Sequence, residues 1–251
     1  MTVPAKLALV LAVLALPHGS SPAETKVPVL VELFTSEGCS SCPAADAMLL
    51  RLLRTQPFDG VELIALGEHV DYWDSGGWRD RFSSRQFTLR QEGYSGRIGG
   101  GRIYTPQAVV GGRIDVLGSD EAGLRKALAK TRSGTSGTIV LRWGASDADG
   151  IALRVEVSSL PTHDGSDIWI ALAEDGLVSR VTGGENAGRT LEHAAVVRTL
   201  ARIGETAGAS FSAGQRLVLD SAWKRPALRA VAFVQERSTG RVLAARTLTV
   251  Q

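Results

Sequence analysis

The chain has two cysteines, and they stand together as Cys39-Ser40-Ser41-Cys42. This spacing fits thiol–disulfide exchange, half of a zinc site, or a short covalent bridge. Zinc asks for four ligands, and no second cysteine pair exists in the sequence. A bridge closing four residues contributes only about 2 kcal/mol by the chain-entropy relation. A staple would gain more from a longer loop, so the spacing favours a redox or metal role.

Other residues near this pair could join its chemistry. Glu32 interrupts an apolar run seven residues before Cys39. A carboxyl buried there would have a raised pKa and could take the proton of Cys42; the alternative is that it reaches an Arg or solvent. His69 and Asp71 follow a second apolar run, where they could tune a thiolate, ligate a metal or simply hydrogen-bond a loop. Cys39, Cys42 and His69 together would suit copper. Tyr72, Trp73 and Trp78 could wall a substrate site or pack a core. His163 and His193 receive no role. Gly183-Gly184-Glu185-Asn186 reads as a turn, since the strand and helix of a phosphate loop do not flank it.

Regular elements must hold these groups in place. Val27–Phe34 and Val61–Leu66 read as buried strands. Between them Ala45, Met48, Leu49, Leu52 and Leu53 recur at helical spacing, with Asp46, Arg51 and Arg54 on the other side. Pro43 suits a first helical turn, so the cysteines fall at a helix N-terminus, where orphan N–H groups and the macrodipole favour a thiolate. Gly67–Tyr104 holds seven of the fourteen aromatic residues, which argues for packed structure, with a helix near Ser83–Tyr94. Then come strands at Gln107–Val110 and Arg113–Leu117 about a Gly111-Gly112 turn, and a helix capped by Ser119. Residues 133–137 read as a linker. Beyond it, seven short runs with strand periodicity, from Thr138–Trp143 to Arg241–Val250, suggest a β-sandwich over residues 138–251.

The two ends of the composition are also informative. Leu7–Leu16 is an uninterrupted apolar block after Lys6, followed by small residues, the layout of a cleaved leader spanning 1–23. Ten apolar residues are too few to span a bilayer comfortably, so no membrane span is expected after cleavage. The expected location is periplasmic or secreted, where disulfides persist. Against 28 Lys and Arg stand 26 Asp and Glu, and no basic patch points to nucleic acid.

The order strand, Cys-x-x-Cys helix, strand, Thr-Pro, hairpin, glycine, helix resembles that of thioredoxin. More specifically, "VELFTSEGCSSCPAAD", "HVDYWDSGGWRD" and "YTPQAVVGG" are similar to three marks of a secreted thioredoxin-like family catalogued as a domain of unknown function. The resemblance implies an α/β thioredoxin-like domain over residues 24–132, with an aromatic-rich insert, followed by the all-β part. It implies that Cys39 attacks a substrate disulfide and Cys42 resolves the mixed disulfide. Thr105 and Pro106, with a cis bond between them, would lie beside the pair and line a protein substrate together with Tyr72 and Trp73. Glu32 sits one residue further from Cys39 than the buried acid of thioredoxins. The implied activity is that of a thiol–disulfide oxidoreductase without a cofactor, acting on a cysteine-containing protein. A copper-handling protein, and an interaction module with an inert bridge, are the alternatives. Ser40-Ser41 favours neither oxidation nor reduction.

Overall fold

The computed structural model describes residues 26–161 and 165–250. The expected leader and His163 lie outside them. Among the described residues, thirteen strands and three α-helices follow one another, and none of these helices is long and apolar enough to cross a membrane.

β1 (Val27–Thr35) leads through a turn into α1 (Cys42–Thr55) and then β2 (Val61–His69), which lies parallel to β1. After an irregular stretch come α2 (Arg85–Ser95), the antiparallel pair β3 (Gln107–Val110) and β4 (Ile114–Leu117), and α3 (Glu121–Arg132). Asp120, not Ser119, caps α3, with its side chain accepting from the N–H of Gly123. Then follow β5 (Thr138–Ser146), β6 (Gly150–Ser158), β7 (Ser166–Glu174), β8 (Leu177–Arg180), β9 (Thr190–His193) and β10 (Val196–Thr206). β11 (Phe211–Val218), β12 (Leu228–Glu236) and β13 (Val242–Thr249) complete the chain.

One eight-stranded sheet, ordered β13-β12-β7-β10-β2-β1-β3-β4, takes four strands from each half of the chain. This corrects the expected fold class. The molecule is mostly β around a mixed sheet, not an α/β thioredoxin-like domain followed by a β-sandwich with two sheets of its own. The physical reason lies in β7 and β12. Ile170–Ala173 and Ala230–Val234 are buried on both faces, as strands inside a sheet covered on both sides must be. Ile168, Ile170, Ala230 and Ala232 pack against the three-stranded sheet β11-β6-β5, while Ala171, Ala173, Val231 and Phe233 join Leu30, Leu66 and Phe87 on the α2 side. In β1 the same alternation sends Val29, Val31 and Leu33 toward α1 and α3, and Leu30 toward α2.

The halves meet where β10 runs beside β2. Val196 pairs with Gly67, whose N–H donates to Ala195 O at 2.7 Å. A Cβ on Gly67 would stand 2.6 Å from the backbone oxygen of Ala194, inside any normal contact. Gly67→Ala should therefore push the halves apart, costing roughly 1–3 kcal/mol as overpacking does. Urea unfolding followed by tryptophan fluorescence checks this: the midpoint should fall, and an unchanged midpoint would show that the junction is not tightly packed.

Candidate functional site

β1 ends at Thr35, and residues 36–41 fold into a turn that delivers the first residues of α1. Cys39 N–H donates to Ser36 O (3.3 Å) and Cys42 N–H to Cys39 O (3.2 Å). Cys39 and Cys42 are joined in a disulfide. Pro43 occupies the first turn of α1, and Ser41 at its N-cap makes no side-chain capping bond. The positive end of α1 is thus left to act on the sulfurs. Cys39 is 1% exposed and Cys42 0%, although Ser40 and Ser41 between them are exposed. Sequence reasoning would have left Cys39 accessible.

What closes the turn comes from the far half of the chain. Asn186 is fully buried, and its Nδ2 donates to Glu37 O (2.8 Å) and Cys39 O (2.9 Å). Arg189 holds its Oδ1 at 2.7 Å, and Glu185 accepts from the N–H of Ser40 at 3.0 Å. The stretch Gly183–Asn186, read from sequence as a plain turn, is a clasp on the cysteine loop.

Beneath the clasp lies a buried polar cluster. Glu37 accepts from Trp78 Nε1 (2.7 Å) and faces His193 Nε2 (3.2 Å), while its own N–H donates to Asp80 (2.9 Å). Asp80 Oδ2 is 2.6 Å from His69 Nδ1. Asp46, one turn along α1 from Cys42, accepts from Thr35 Oγ1 at 2.8 Å. The imidazoles of His69 and His193 pack edge to face, 4.9 Å between centroids, with Phe82 against both. Burial works against charge on Glu37 and Asp80, yet His193 holds the first, and His69 the second, below the usual carboxyl range. Burial likewise opposes a proton on His193, but Asp46 and Glu37 outweigh it and raise that pKa to about 9.

Sequence reasoning placed Asp46 on the outer side of its helix, and it is buried because β9 covers the start of α1. It assigned nothing to Glu37, Asp80, Asn186 or His193. A charged residue inside each quoted motif was the available signal for the first two; His193 and Asn186 carried none.

The other candidates fall as follows. His69 is the last residue of β2 and faces the cluster. The Thr105-Pro106 bond is cis. Pro106 and Ala45 of α1 both stand against Gly118, where a Cβ would lie 2.8 Å from Pro106 and 3.2 Å from Ala45. Trp73 connects the cysteine turn to this region: it packs on Gly38, and its Nε1 donates to Thr105 Oγ1 at 2.9 Å. Tyr72 is partly exposed, its hydroxyl 3.1 Å from Gln91. Glu32 lies apart from this group. It projects to the α2 side of the sheet, where Arg90 and Tyr94 both donate to it and Arg90 stacks near Tyr94, Trp169 and Phe233. Cys42 and α1 occupy the opposite face.

The chain belongs to the family described as "Protein of unknown function (DUF1223)", which matches residues 30–235. The crystal structure of a protein from Agrobacterium tumefaciens is similar at 25% identity and a TM-score of 0.69, over 90% of this chain and 96% of that one. HBP35 of Porphyromonas gingivalis shares the fold at 14% identity and a TM-score of 0.67, over 90% of this chain and 76% of that one. No curated protein matches the chain significantly.

The position of Glu32 has a measurable consequence. Removing its charge leaves Arg90 buried with a weakened partner, since Glu68 is 3.6 Å away and burial pushes the Glu68 carboxyl up. Glu32→Gln should destabilise the fold by roughly 3–5 kcal/mol, as breaking a buried pair does. Disulfide exchange by the folded fraction should stay within about threefold of the parent, far from the 10²-fold loss that follows removal of a general base. Thermal unfolding together with exchange kinetics checks both parts.

Proposed function

We propose that this member of the DUF1223 family is an exported protein whose Cys39–Cys42 pair exchanges disulfides with a cysteine-bearing protein. The carrying observation is the bridge itself: the chain's two cysteines are joined across four residues at the start of a helix, where the bond adds little stability. The apolar leader-like block at Leu7–Leu16 supports export, and export supports an oxidising setting. In exchange, a partner thiolate attacks one sulfur and forms a mixed disulfide as the Cys39–Cys42 bond breaks; the partner's second thiolate then resolves it, leaving the partner oxidised and both cysteines reduced. In the reverse direction Cys39 attacks the partner's disulfide, and Cys42 then releases the partner as a thiol. Both directions conserve electrons between the two pairs. Both sulfurs lie at the α1 N-terminus, where a thiolate is favoured. Exposed Ile103 and Tyr72, flanking Thr105, offer the apolar contact along which a partner's backbone would lie.

The sulfurs are sealed, so a partner gains access only when the Asn186 clasp lifts. Asn186→Ala removes two hydrogen bonds to the cysteine turn and should speed reduction by dithiothreitol about tenfold, the equivalent of 1–2 kcal/mol. An unchanged rate would mean that something else controls access.

A second reading, an interaction module with an inert bridge, draws on the burial of both sulfurs. Expression of a Cys42→Ser variant in the exported compartment separates the two. Exchange predicts mixed disulfides through Cys39, visible on non-reducing gels and lost in Cys39→Ser. An inert bridge predicts a single monomer band in both variants.

A further inference from the structure

The buried cluster behind the cysteine loop has a feature that disulfide exchange does not use. Three of its polar atoms lack hydrogen-bond partners among the described residues: Asp46 Oδ1, His69 Nε2 and His193 Nδ1. They belong to Asp46 of α1, His69 of β2 and His193 of β9, all buried, and one ligand atom from each of these residues lies within 4.8 Å of the others. We propose that these three atoms form a binding site for a divalent first-row transition ion such as zinc.

The convergence is built from behind. Each imidazole has its other nitrogen held by a carboxylate: Asp80 on His69 Nδ1 at 2.6 Å, and Glu37 on His193 Nε2 at 3.2 Å. A carboxylate at one nitrogen fixes the tautomer that leaves the other nitrogen as an unprotonated donor, the arrangement found behind metal-bound histidines. Thr35 similarly engages one oxygen of Asp46 and leaves the second free. Two imidazoles and a carboxylate suit zinc or iron(II) better than calcium or magnesium, which prefer oxygen.

The distances are close to those required. Ligands about 2.0–2.2 Å from a tetrahedral ion stand about 3.4 Å apart. Asp46 Oδ1 and His193 Nδ1 are 3.6 Å apart, so the third ligand needs to close by only about 1 Å. Asp46 and His193 both line a cleft of about 510 Å³ between α1 and β9. Charge points the same way. Asp46, Glu37 and Asp80 are three buried carboxylates whose hydrogen-bond donors are hydroxyls, an indole, imidazoles and backbone amides, with no Lys or Arg among them. Buried anions need a cation.

This site is independent of disulfide exchange and uses no sulfur. Zinc titration by calorimetry, on the oxidised parent and on a Cys39→Ser/Cys42→Ser variant, tests it. One equivalent should bind to both, with affinities within about threefold, since no ligand is lost. His69→Gln and His193→Gln should each weaken binding about 100-fold or more, and Glu37→Gln, through loss of orientation, about 10–100-fold. X-ray absorption on the zinc-loaded parent should give nitrogen and oxygen ligands without sulfur, a readout that does not depend on whether the variants fold. Failure of the parent to bind one equivalent, loss of binding in the cysteine variant, or sulfur in the shell would each overturn the proposal. Failure of partner trapping, with zinc binding intact, would count against exchange alone.

Discussion

Three carboxylates, Glu37, Asp46 and Asp80, are buried within reach of two imidazoles, and a buried charge without a partner costs more than a fold of this size can spare. Asp80 finds His69 within the same half of the chain, but Glu37 faces His193, more than 150 residues later. That contact forces β9 onto the start of α1, and with it the loop that carries Asn186 onto Cys39. The cysteine turn is therefore completed by the second half of the chain. The union of the two halves in one sheet, with β10 beside β2 at Gly67, gives this contact a fixed geometry.

This arrangement sets the disulfide apart from the buried imidazole–carboxylate cluster. The disulfide lies at the surface end of α1, sealed by a clasp of a few hydrogen bonds. The imidazole–carboxylate cluster lies one helical turn deeper, reached through Asp46. Opening of the clasp would break a few hydrogen bonds and leave the three large hydrophobic clusters intact.

Much of this was legible in the residues. Helical spacing after Cys42, the paired glycines at 111 and 112 and the apolar runs gave nearly all the elements, because each buries one face at its own period. What period alone misses is which face meets what. Ile168–Ala173 and Ala230–Val234 are apolar at successive positions, not alternate ones, and that continuity marks interior strands of a shared sheet. Reading them as sandwich strands put them in a separate layer. Alternation in β1 correctly sent Glu32 away from Val31 and Leu33, but only the structure shows that α1 lies on the Val31 side and Arg90 on the other. His193 could not be found, since its partners lie far off in sequence and its neighbours read as an ordinary strand.

The central claim is that the Cys39–Cys42 bond is made to be broken. Its reduction potential, measured by equilibration in glutathione redox buffers and read by alkylation and mass, tests this most directly. An exchanging pair should titrate between about −270 and −120 mV, the span of dithiol proteins that pass electrons to others. A value below about −300 mV, typical of structural bridges, would contradict the account.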